Sequence, residues 1–201
     1  MRKVLVLHGP NLNLLGTRER EIYGEMTLGE IDAELVREGK RLDVEVRTFQ
    51  SNHEGALIDA LHEAQAWADA VIFNPAGFTH TSVALRDAVA GIRVPVVEVH
   101  LSNIFAREDF RERSLTGAVC RGVITGFGWQ SYLIALRSLD DWFGATGGED
   151  QTPCARVAST WSPDTRVVLD PSRGPRDRGA IMLLPLSRRY RTSNHRSDTF
   201  A

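Results

Sequence analysis

At 201 residues, 42% of them hydrophobic, the chain is long enough to bury one substantial core, and its length favours a single domain with at most an appendage. A formal charge of -2, with no basic block in residues 1–143 large enough to track phosphates, argues against nucleic-acid binding by broad electrostatics. The apolar runs fall well short of the roughly 20 residues that span a bilayer, no secretory pattern follows Met1, and Cys120 and Cys154 show neither metal-ligand spacing nor disulfide density, so a cytoplasmic protein without membrane attachment is expected.

Five short, mostly β-branched or apolar runs, at residues 4–7, 44–49, 70–73, 94–99 and 122–125, predict strands buried on both faces. Helical patterns lie between them. Residues 27–40 open with the capping box Thr27-x-x-Glu30, residues 54–68 repeat apolar side chains at helical spacing, and residues 82–90 and 129–143 complete the set. This alternation predicts an α/β fold: a flavodoxin-like, doubly wound five-stranded parallel sheet of order 2-1-3-4-5 with helices on both faces. The domain is placed at residues 1–143. Beyond it the stretch GATGGEDQTP is linker-like, and residues 144–201 read by composition as a weakly ordered extension containing Arg, Pro and Gly.

Ligands of such sheets bind outside the carboxyl ends of the strands. Strand 1 runs out at His8 and delivers Asn11, strand 3 ends at Asn74 and strand 4 at His100, so three loops are expected to converge on one crevice, with His8 and His100 as neighbours in it. Glu98 and His100, two apart on a strand, point to the same face. A carboxylate there requires a partner, and an imidazole beside it is held in one tautomer and protonated more easily, which describes a general acid; a purely structural Glu/His pair is the other reading. Arg18 and Tyr23 fall in the glycine-bracketed stretch 16–24, expected to be a mobile surface loop. A guanidinium against a phenol lowers its pKa from the usual value of about 10 and makes a proton acceptor of it, although an Arg and a Tyr in a loop are also ordinary surface residues. Ahead of the 82–90 helix, Thr81 or Ser82 can cap backbone amides while Asn74 and His80 face the crevice. A helix N-terminus and Arg111 suit a carboxylate-bearing substrate. No P-loop, dinucleotide fingerprint or metal cluster occurs, which favours chemistry without a cofactor. The rival reading is a binding module that holds a small anion without turning it over; Tyr23 beside Arg18 speaks against it, because anion capture needs no phenol.

Taken together, the segments VLHGPNLNLLGTRE (6–19), IYG (22–24), QSNHEG (50–55), THTSVALRDA (79–88), VVEVHLSNI (96–104), ARE (106–108) and FR (110–111) closely resemble the type II 3-dehydroquinate dehydratases, over residues 1 to about 140. The resemblance implies anti elimination of water from 3-dehydroquinate to give 3-dehydroshikimate through an enolate, a step of the shikimate pathway toward chorismate and aromatic amino acids. It implies no metal, imine or other cofactor, and a homododecamer arranged as a tetramer of trimers. By the same resemblance Tyr23 is the base at C2, Arg18 keeps it ionised, Asn11 supports the enolate through a water, and His100, oriented by Glu98, protonates the departing C1 hydroxyl. Asn74, His80, the Leu101 backbone, Ser102 and Arg111 hold the substrate, and Asp87 reaches a neighbouring subunit's site. Three features depart from the pattern: Arg20 stands where proline is common, Phe105 replaces a frequent histidine, and the chain continues well beyond Leu139.

Overall fold

Strands β1 (Arg2–His8), β2 (Val44–Gln50), β3 (Ala70–Asn74), β4 (Val96–His100) and β5 (Gly122–Thr125) form one sheet, all parallel, in the order β2-β1-β3-β4-β5. The computed structural model describes residues 1–17, 25–111 and 113–146. Helices α1 (Leu28–Arg41), α2 (Glu54–Ala64), α3 (Phe78–Thr81), α4 (Val83–Gly91) and α5 (Gln130–Thr146) follow in chain order. The expected strand order and class therefore hold.

Alternation along each strand divides the core in two. Val4, Val6, Ala70, Ile72, Val97 and Val99 face α1 and α5, where Ile31, Leu35, Tyr132 and Leu136 meet them. Leu5, Leu7, Val71, Phe73 and Val96 face α2 and α4, against Leu57, Leu61, Leu85 and Val89. Because β1 and β3 are covered on both sides, residues 4–7 and 70–73 read as unbroken apolar runs. Each fully buried Leu contributes about 1.5–3 kcal/mol, and truncating Leu61, which is fully buried, to Ala removes about 2–5 kcal/mol.

The α1 start matches its sequence signal: Thr27 Oγ1 accepts from the Glu30 amide at 3.3 Å, and Glu30 accepts from the Thr27 amide at 2.8 Å. Ser82, not Thr81, caps α4, accepting from the Leu85 amide at 2.8 Å. Other bounds move. α2 stops at Ala64, because i to i-3 bonds from Gln65, Ala66 and Trp67 tighten the turn that follows. β4 starts at Val96 and runs to His100, and α5 continues to Thr146, through the first residues of the stretch read as linker. The expected extension otherwise lies outside the described residues. Among those described, no helix is long and apolar enough to cross a membrane.

One placement is corrected. His8 is fully buried rather than beside His100, because the register pairs His8 with Asn74 but Glu98 with Phe73. Partners in register share a face, so His8 points with Val4 and Val6 toward α1 and α5, whereas Glu98 and His100 point the other way.

Candidate active site

Three chain segments line a crevice of about 170 Å³ at the carboxyl end of the sheet: Pro10 to Leu15 after β1, Asn74 to His80 after β3, and His100 to Arg111 after β4. That volume lies below the roughly 300 Å³ at which drug-sized sites begin, which suits a small metabolite better than a nucleotide. Its described polar lining is Asn11, Asn74, His80, His100, Ser102, Arg107 and Arg111, with no carboxylate side chain among these residues. An anionic ligand fits that charge.

The crevice floor is set by backbone approach. The Gly9 amide donates to the Asn74 carbonyl at 2.7 Å, and a Cβ on Gly9 would lie 2.6 Å from the Pro75 carbonyl oxygen, so glycine is required there. Asn11 and Ala76 adopt left-handed φ values of 65° and 49°, and both line the crevice. Asparagine tolerates this conformation; alanine does not readily, so Ala76 holds strain beside the site. The Asn11 amide donates to Asn52 Oδ1 at 2.9 Å, and Gln50 Nε2 ties Asn52 Oδ1 (3.1 Å) to the Gly9 carbonyl (3.2 Å). The QSNHEG segment thereby fixes the loop that carries Asn11.

Glu98 is fully buried, and His100 Nε2 lies 2.7 Å from its Oε1. Three hydroxyls complete the carboxylate's shell: Thr79 donates to Oε1 at 2.8 Å, Ser114 to Oε1 at 2.9 Å, and Thr116 to Oε2. Burial pushes the Glu98 carboxyl up, but the His100 contact and the Thr116 and Thr79 hydrogen bonds outweigh it and hold the group below its ordinary range. A charged Glu98 makes Nε2 the protonated nitrogen facing it, so Nδ1 is the atom through which His100 can serve the crevice. Gly117 closes this shell: its amide donates to Ser114 Oγ at 2.7 Å, and a Cβ would sit 2.7 Å from that oxygen and 3.2 Å from Glu98 Oε1.

His80 Nδ1 donates to the Arg113 carbonyl at 2.9 Å, and burial first, then the nearby Arg111 charge, depresses its pKa despite that bond. His80 is thus neutral at physiological pH. Arg111 Nε and Arg107 Nε lie 2.8 and 3.5 Å from Glu108, which holds both guanidinium groups at the crevice. Leu101 and Ser102 line it too, with Gly128 donating to the Leu101 carbonyl (2.9 Å) and Thr125 Oγ1 to the Ser102 carbonyl (2.8 Å).

Arg18, Arg20 and Tyr23 lie outside the described residues. Asp87, on α4, pairs with Arg86 at 2.7 Å and is not part of the crevice lining. The residues missed by sequence reading are Arg107 and the hydroxyls of Thr79, Ser114 and Thr116. Arg107 stands within the ARE segment and was within reach; the hydroxyls resemble any turn or cap residue until the sheet brings them to Glu98.

Fold and crevice together define a flavodoxin-like protein with a crevice after β1, β3 and β4 whose described polar lining is cationic or neutral. The family model described as "Dehydroquinase class II" matches residues 2–140. The chain belongs to the class II dehydroquinase family. A 3-dehydroquinate dehydratase of Desulforudis audaxviator is 60% identical over 136 residues, covering 68% of this chain and 91% of that protein. One from Caldanaerobacter subterraneus subsp. tengcongensis is 51% identical over 148 residues, covering 74% of this chain and 100% of its own. The crystal structure of a type II dehydroquinase from Butyrivibrio crossotus is 42% identical with a TM-score of 0.68, covering 69% of this chain and 97% of that one.

Proposed function

We propose that this chain is a 3-dehydroquinate dehydratase that performs anti elimination of water through an enolate, as a step of the shikimate pathway. The observation that carries the reading is the buried Glu98–His100 pair at a crevice lined by cationic and neutral hydrogen-bonding groups. A proton leaves C2 of the substrate for the Tyr23 phenolate, which Arg18 keeps ionised, and the electrons pass into the C3 carbonyl as an enolate. Asn11 supports that enolate through a water. The enolate then collapses, C1 loses its hydroxyl with a proton from His100, and the products are an enone and water. Asn74, His80, the Leu101 backbone, Ser102 and Arg111 hold the substrate's hydroxyls and carboxylate; the charge and placement of their side chains at the crevice support this. The mechanism requires no cofactor.

The same reading puts the enzyme in the cytoplasm, as a homododecamer built as a tetramer of trimers in which Asp87 reaches a neighbour's site. Phe105 and Phe127, each 60% exposed, supply apolar surface for such contacts. Catalysis is assigned to residues 1–143, and 144–201 to an extension outside it. Mixing purified protein with 3-dehydroquinate and following ultraviolet absorbance tests the activity, since the product alone carries a conjugated carbonyl. A folded sample that produces no rise rejects it.

A further inference from the structure

The loop that leaves β1 is gripped at almost every backbone group it offers. The Gly9 amide donates to the Asn74 carbonyl at 2.7 Å, the Gly9 carbonyl accepts from Gln50 Nε2 at 3.2 Å, and Pro10 has no amide to place. The Asn11 amide donates to Asn52 Oδ1 at 2.9 Å, and the Asn11 carbonyl accepts from the Leu14 amide at 3.0 Å. None of these bonds uses the Asn11 carboxamide, which caps no amide of the 3-10 turn Leu12–Leu14. The backbone is held and the side chain is left over, at a residue that lines the crevice.

Gln50 and Asn52 can be oriented in one way only. A backbone amide donates and a carbonyl accepts, so Asn52 must present Oδ1 to Asn11 and Gln50 must present Nε2 to Gly9. The remaining contact between the two side chains, Gln50 Nε2 to Asn52 Oδ1 at 3.1 Å, then runs from donor to acceptor without conflict. A flip of either carboxamide would set donor against donor or acceptor against acceptor. Asn11 itself stands at φ 65°, a conformation that asparagine tolerates. Anchoring the peptide groups on both sides of it fixes the direction in which its Cα–Cβ bond leaves the backbone.

We infer that Asn52, aligned by Gln50, is a positioning residue that holds Asn11 in its left-handed conformation and so aims the Asn11 carboxamide into the crevice. This rests on the dehydratase reading, in which Asn11 supports the enolate through a water. An enolate forms only as C2 loses its proton, so a residue that aims Asn11 acts on the transition state and moves kcat rather than KM.

The test is a double-mutant cycle on the full chain, with kcat and KM for 3-dehydroquinate measured separately. Asn52 is exposed, and Asn52→Ala removes the acceptor without opening the core. It should lower kcat by about fivefold, the scale of one neutral hydrogen bond, with KM changed less than about twofold. In an Asn11→Ala background the same substitution should leave kcat unchanged, because no carboxamide remains to be aimed. Equal factors in both backgrounds, no change in either, or a change in KM alone overturns the inference, since damage transmitted by packing does not require the Asn11 side chain. Should Asn52→Ala fail to fold, Gln50→Met decides by the same cycle, at the residue that aligns Asn52. Wild-type protein that does not turn over 3-dehydroquinate rejects the functional reading instead. The inference is then read from the Asn11 Cα and Cβ chemical shifts, which report its backbone conformation: displacement from left-handed values in Asn52→Ala supports it, and unmoved shifts sink it.

Discussion

Two imidazole–carboxylate pairs sit on opposite faces of one sheet, and only one of them serves the crevice. In His100–Glu98 the carboxylate is fully enclosed, wrapped by three hydroxyls, and the nearly buried imidazole reaches the crevice. In His8–Asp32 the imidazole is fully buried while the carboxylate, on α1, keeps 27% of its side chain exposed. The chemical parts are alike. What separates the proposed acid from a scaffold is which member faces the crevice, and strand parity settles that before any pKa does.

Breaking each pair should therefore produce different losses. His100→Ala is expected to lower kcat by roughly 10²–10⁴-fold, the contribution of a positioned general acid, with modest loss of stability because Glu98 keeps its three hydroxyl donors. His8→Ala should do the reverse: about 1–3 kcal/mol of stability lost in denaturant unfolding, as the buried Tyr132 hydroxyl loses its hydrogen-bond partner, with kcat within severalfold of wild type. If the two variants lose kcat equally, the contrast between the faces is wrong.

Acid sharpens the same comparison. The folded-state pKa of Glu98 is held below its ordinary value, net of burial, by His100, Thr116 and Thr79. Its stabilising contribution is present above the unfolded value of about 4.3 and is lost as pH falls from there through the lowered folded value. Urea unfolding between about pH 5 and 3 should thus show a steep decline for wild type and a shallower one for Glu98→Gln. Matching slopes would mean that the hydroxyl shell does not favour the ionised form.

The parts of this contrast that were legible in the sequence are those carried by local pattern. Glu98 and His100 two apart on a strand, the Thr27/Glu30 box, and unbroken apolar runs such as residues 70–73 all express their structure within a few residues. His8 was misplaced because both histidines end strands, and only the register, His8 with Asn74 and Phe73 with Glu98, reveals that their faces differ. Thr79 and Thr116 were invisible for a related reason. Their hydroxyls lie 2.9 Å apart yet are 37 residues apart in sequence, and a threonine in a turn carries no mark of the carboxylate that it will meet. The one-turn helix Phe78–Thr81 and the 3-10 turns after β1 and β4 fall below the length at which hydrophobic periodicity can be read.

The smallest effect tests whether the crevice wall stores strain that an ordinary helix does not. Ala76 has φ 49°, and its amide fixes Asn74 Oδ1; Ala33 is exposed in the middle of α1. A non-glycine residue in the left-handed region is disfavoured by roughly 1–2 kcal/mol, whereas glycine adopts it freely and loses about 0.4–1 kcal/mol through the greater freedom of the unfolded chain. Ala76→Gly should accordingly be neutral or stabilising, by at most about 1.6 kcal/mol, from the difference of those two terms. Ala33→Gly has no strain to relieve and should lose about 1 kcal/mol in the same denaturant titration. The Ala76 methyl packs against the core and the Ala33 methyl is exposed, so packing alone would make the change at Ala76 the costlier one, and a gain there isolates the relief of backbone strain. Equal destabilisation at both positions would show that the left-handed turn at Ala76 is relaxed, and that the Asn74 carboxamide is held by its hydrogen bonds alone.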